Sequence, residues 1–105
     1  MVGSLLALAA APLDVGARLN LAAALERQGE MGVAEAELRQ VIALAPAMGK
    51  AHVALGMLLT QRQGGLTREA RGEIEMGLRL DPELRRLLPR PMQTKLAAST
   101  PKGRQ

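Results

Sequence analysis

The sequence predicts an all-α solenoid of antiparallel helix pairs, and three observations predict it. Leu and Ala make up 37 of the 50 hydrophobic residues while Phe, Tyr and Trp are absent, a mixture that favours helix. Three apolar runs each end in proline: Ala7-Leu8-Ala9-Ala10-Ala11-Pro12, Val41-Ile42-Ala43-Leu44-Ala45-Pro46 and Gly77-Leu78-Arg79-Leu80-Asp81-Pro82, so the prolines recur after 34 and then 36 residues. Apolar faces of helical period recur between them at the same intervals. The unit is helix, glycine turn, helix, proline, and turns this short fold each helix back on the one before it, so that successive pairs stack.

Taken in order, residues 2–14 read as the second half of a preceding unit. Asp14 is placed to cap the next helix, in which Leu21, Ala22 and Leu25 share a face; a shift of 34 gives Leu55, Gly56 and Leu59 in the following unit. After a turn at Gln28-Gly29-Glu30, a second helix carries Ala34, Leu38, Val41 and Ile42, and a shift of 36 gives Ala70, Ile74, Gly77 and Leu78. The two extra residues fall in Gln63-Gly64-Gly65-Leu66-Thr67, with Thr67 as the next cap. The first repeat is thus 15–48 and the second 49–84. Asp81-Pro82-Glu83 opens a short capping helix that runs to Leu88, where Pro89 and Pro91 are expected to stop it. The helical domain is 1–91, and 92–105 reads as a flexible basic tail.

At 105 residues the chain suits one small domain. The formal charge of +4 is unevenly divided: residues 1–83 hold eight Lys and Arg against ten Asp and Glu, whereas 84–105 hold six basic residues and no acid. Without cysteine there is no disulfide, thiolate metal site or thiol nucleophile, and one histidine with scattered carboxylates makes no metal site, so neither metal nor cofactor is expected. Without aromatics there are no stacking platforms for nucleic-acid bases.

In this register the sequence resembles the tetratricopeptide repeat family, whose repeats of 34 residues end in proline. The first repeat supplies Leu21, Ala22, Leu25, Gly29, Ala34, Leu38, Val41 and Pro46, and the second Leu55, Gly56, Leu59, Gly64, Ala70, Ile74, Gly77 and Pro82. With the half repeat the resemblance covers residues 2–88. It departs from the pattern early in each first helix, where a large apolar residue gives way to Arg18 and His52, and in the longer loop of the second repeat. The resemblance implies a scaffold whose first helices line a concave groove for a partner's peptide. The groove wall would include Leu19, Asn20, Ala23 and Arg27, then Lys50, Val53, Ala54, Met57 and Gln61. Asn20 and Lys50 match two groups of the carboxylate clamp of chaperone-binding members, but Ala54 stands where that clamp has arginine.

The remaining features have two readings each. Met57 is an adaptable groove floor or filler between helices. His52 has no co-ligands and is read as a contact between repeats rather than a switch. Glu35, Glu37, Glu73 and Glu75 are read as solvated surface, since a spacing of two does not share a helix face. The tail is a solubilising end or an electrostatic arm for nucleic acid or anionic lipid. Residues 5–11 resemble the core of an export signal but lack a basic region before them, and their register with the other repeat ends favours the half-repeat helix and a cytoplasmic chain. Nothing approaches the length of a transmembrane span.

No nucleophile with a base, phosphate loop or carboxylate pair on one face is found, so the chain is read as non-enzymatic. The expected function is protein binding through the concave face. The alternatives are an accessory repeat module of a larger enzyme, and polyanion contact through the tail. The apolar face of Leu5, Leu6 and Leu8 is expected to be covered by self-association or by another domain.

Overall fold

A computed structural model describes residues 14–98, and every regular element among them is helical. They form α1 (Val15–Arg27), α2 (Met31–Leu44), α3 (Gly49–Gln63), α4 (Arg68–Leu80), a 3-10 segment (Pro82–Leu87) and α5 (Arg90–Ala98). The half repeat lies outside the described residues except for Asp14, as do residues 5–11 and 99–105.

Local chemistry explains the boundaries. The Asp14 carboxylate accepts from the Ala17 N–H at 3.0 Å and starts α1, and the Thr67 hydroxyl accepts from the Ala70 N–H at 3.2 Å and starts α4. Asp81 does the same for the 3-10 segment through the Glu83 N–H. Gly64 ends α3 with φ of 76°, a left-handed conformation that glycine adopts without a steric penalty, and the Gly64 and Gly65 N–H groups both donate to the Thr60 carbonyl. The helices then pack in chain order, α1 on α2, α2 on α3 and α3 on α4.

The central helix is α3. Its apolar residues point in all directions, and Ala51, Val53, Leu55, Leu58 and Leu59 are all buried. Leu55, Leu58 and Leu59 join Ala22, Ala34, Leu38 and Ala70 in one core, while Val53 joins Ile74, Leu88 and Leu96 in a second. Between α3 and α4 the backbones approach until no side chain fits. A Cβ on Gly56 would stand 2.8 Å from the Ala70 carbonyl oxygen and collide with Ile74; one on Gly77 would stand 2.6 Å from the Gly49 oxygen and 2.5 Å from Val53 Cγ2. Gly49 is closed in likewise, 2.8 Å from the Gly77 oxygen.

Polar pairs tie the same helices together. Arg18 Nη1 donates to Glu37 Oε1 at 3.4 Å, and His52 Nδ1 lies 2.9 Å from Glu73 Oε1. These pairs are equivalent, since 52 follows 18 by 34 residues and 73 follows 37 by 36, the two shifts that relate the apolar faces. His52 Nε2 also donates to the Pro46 carbonyl at 2.8 Å, so the ring joins α4 to the turn before α3. Glu35 accepts from Arg39 and from Arg62, and Arg39 also reaches Glu69. The Arg39 guanidinium, helped by that of Arg62, holds the Glu35 carboxyl below its ordinary value against the opposing effect of burial. Three of the four glutamates read as solvated surface are therefore inter-helix partners, because packing brings an arginine or histidine side chain from another helix to each.

The C-terminal region differs from the expected flexible tail. The 3-10 segment ends at Leu87, just before Pro89 as expected, but Pro91 also stands in the first turn of a further helix, α5, where proline's missing N–H is not needed and its fixed φ suits the geometry. The Met92 and Gln93 N–H groups donate to the Pro89 carbonyl, and Leu96, 5% exposed, packs with Leu88 against Val53 and Ile74. An apolar face at Met92 and Leu96, four residues apart, thus folds over the end of the core.

Two predictions follow from this packing, both read by circular dichroism during urea denaturation. Gly56→Ala and Gly77→Ala should each lose about 1–3 kcal/mol by overpacking, whereas Gly72→Ala, with open space at its Cβ, should gain about 0.5–1 kcal/mol from helix propensity; a gain at all three positions would contradict the close approach. His52→Ala should cost about 1–3 kcal/mol by removing a buried bridge that meets both the Pro46 carbonyl and Glu73, and Arg18→Ala no more than about 1 kcal/mol; equal small losses would show that the His52 bridge is not formed.

A candidate binding groove between the first helices

The helices α1 and α3 are the first members of the two pairs, and the surface between them holds a cavity of about 140 Å³. Leu19, Asn20, Ala22, Ala23 and Glu26 line it from α1, Lys50 and Ala54 from α3, and Leu38 of α2 closes its floor. The α1 residues lie at spacings of three and four, one face of a helix. Ala22, Ala23 and Ala54 are small, so the side chains of the two helices leave space open beside Leu38.

The nine residues expected on the groove wall divide into three groups. Leu19, Asn20, Ala23, Lys50 and Ala54 line the cavity, and of these Asn20, Ala23 and Lys50 are exposed. Arg27 and Gln61 are exposed but lie outside its lining. Val53 is a correction: at 2% exposure it packs with Ile74, Leu88 and Leu96 and presents nothing to a partner. Met57 is half-buried against the same cluster. Val53 differs from expectation, and Met57 follows its filler reading rather than its groove-floor reading, because Leu88, Met92 and Leu96 cover this side of α3.

Glu26 was not anticipated, although its place three residues after Ala23 and seven after Leu19 puts it on the same face. It is half-buried, and no hydrogen bond or ion pair to it is found among the described residues. Burial pushes its carboxyl up from the ordinary value. Its position in the last turn of α1 sets a negative charge at the negative end of the helix dipole, and Lys50 in the first turn of α3 sets a positive charge at the positive end. Each placement costs a few tenths to about 1 kcal/mol. The cavity therefore carries two charges of opposite sign, both where the fold alone disfavours them.

The described residues contain no group of three or more His, Asp and Glu able to hold a metal, and no helix long and apolar enough to cross a membrane. No protein-family model matches the chain, and no curated protein matches it.

The sign of the Glu26 effect gives a prediction. With the folded-state value raised, the folded carboxyl binds a proton before the unfolded one as pH falls, so the ionised side chain lowers stability at neutral pH and the loss is relieved below the folded value. Glu26→Gln should raise stability at neutral pH by about 0.5 kcal/mol, and the gain should vanish as pH falls through the carboxylate range. A loss of stability at neutral pH would mean that Glu26 has a partner in the fold.

Proposed function

We propose that the chain is a tetratricopeptide-like repeat scaffold, non-catalytic, that holds a segment of a partner protein in the groove between α1 and α3. One observation carries the reading: Leu19, Asn20, Ala23, Lys50 and Ala54, five of the nine residues that the family resemblance puts on a groove wall, line one cavity. The equivalence of the Arg18–Glu37 and His52–Glu73 pairs supports the repeat architecture independently of the apolar pattern. In this reading the 3-10 segment, which packs on α4 and α3, stands where a following unit would begin, and Leu96 of α5 closes that end of the core.

Polyanion contact through the C-terminal region is the second reading, favoured by Arg85, Arg86 and Arg90, all exposed on neighbouring turns of the 3-10 segment and α5.

Capture from native lysate, with bound proteins read by mass spectrometry, separates the two. Ala23 is exposed on α1, so Ala23→Arg should leave helicity intact while filling the cavity. The groove reading predicts partners retained by the wild-type chain at low and high salt, retained after removal of residues 99–105, and lost with Ala23→Arg. Partners indifferent to Ala23→Arg but released by salt would place binding in the basic region instead.

A further inference from the structure

The groove reading leaves open what enters the cavity, and its size narrows the choice. At about 140 Å³ it lies well below the range of roughly 300–1,000 Å³ that encloses small-molecule ligands. It is the size for one long side chain. Its walls are apolar, from Leu19, Ala22, Leu38 and Ala54, and its lining carries two charged groups, the exposed Lys50 at the rim and the carboxylate of Glu26, half-buried and without a partner among the described residues. An aliphatic stem ending in a cation meets both demands, since Lys and Arg lay their methylenes on apolar surface and keep the charged head beyond it.

Resting on the groove reading, we infer that the cavity between α1 and α3 is a pocket for an arginine or lysine side chain of the bound segment, the stem lying on Leu19, Leu38 and Ala54 and the cation pairing with Glu26. Asn20 and Lys50, exposed at the rim, then meet acceptors of the same segment, so the recognised sequence pairs a basic residue with a nearby carbonyl or carboxylate. Pairing at Glu26 is a charge-assisted hydrogen bond in a partly desolvated site, where such bonds are stronger than in water. It also accounts for a carboxylate that the fold does not use.

The test is a random peptide display library selected against the full chain, in parallel with Ala23→Arg and Glu26→Gln. Peptides that bind the wild type and not Ala23→Arg should share Arg or Lys at one aligned position. A synthetic peptide of that sequence should bind Glu26→Gln about tenfold more weakly or worse. Replacing its basic residue with neutral citrulline or norleucine should cause a similar loss, with little further loss when both changes are combined. Groove-dependent peptides with no shared basic position, or with undiminished affinity for Glu26→Gln, would overturn the inference while leaving the groove reading intact. If no selected peptide depends on Ala23, the groove reading itself fails.

Discussion

The contact on which the rest of the structure depends is the backbone-to-backbone approach of α3 and α4. Three glycines, Gly49, Gly56 and Gly77, remove the side chains that would hold the two helices apart. With the backbones this close, Ile74 and Ala70 bury against α3, and Glu73 comes within reach of His52. The other face of α3 is then free to take Ala22, Ala34 and Leu38, and its end is covered by Leu88 and Leu96. A glycine in a helix interior normally weakens the helix. Here close packing against a neighbour outweighs that loss.

Electrostatics supplies what the core lacks. With no aromatic residue, the early position of each first helix carries a nitrogen-bearing side chain, Arg18 or His52, instead of a large apolar group, and each finds a glutamate on the second helix of its own pair. Such a pair is directional where an apolar contact is not, so it fixes register as well as distance. Glu35, Arg39, Arg62 and Glu69 extend the same device across α2, α3 and α4. Glu35 is held below its ordinary value, so its contribution is complete above the unfolded-state value and is lost as pH falls through the folded one.

What was legible in the sequence was what local chemistry determines. The caps Asp14, Thr67 and Asp81 and the glycines at the two turns could be read because a short polar side chain or a left-handed backbone is needed at those points whatever surrounds them. The apolar faces of α1 to α4 were legible by period. What required the fold was the meaning of residues whose role depends on a distant neighbour. Pro91 reads as a stop when only the preceding helix is considered and as a start once Leu96 has a core to reach. Val53 reads as groove wall until the C-terminal segment covers it, and Glu35, Glu37 and Glu73 read as surface until packing brings their partners to them. Glu26 lies on the face read as groove wall, but only the fold shows that it lines a cavity with its charge at an unfavourable helix end.

The groove and the core are therefore arranged by different rules: the glycine contact favours stability, while Glu26 and Lys50 run against it. Native-state hydrogen exchange tests the central claim, that the α3–α4 contact is the most stable part of the fold, most directly. The account predicts that the slowest amides lie in α3 and α4 and exchange only with global unfolding, with α1 and α5 opening earlier. Slowest exchange in α1 or α2, with α3 and α4 opening first, would contradict it.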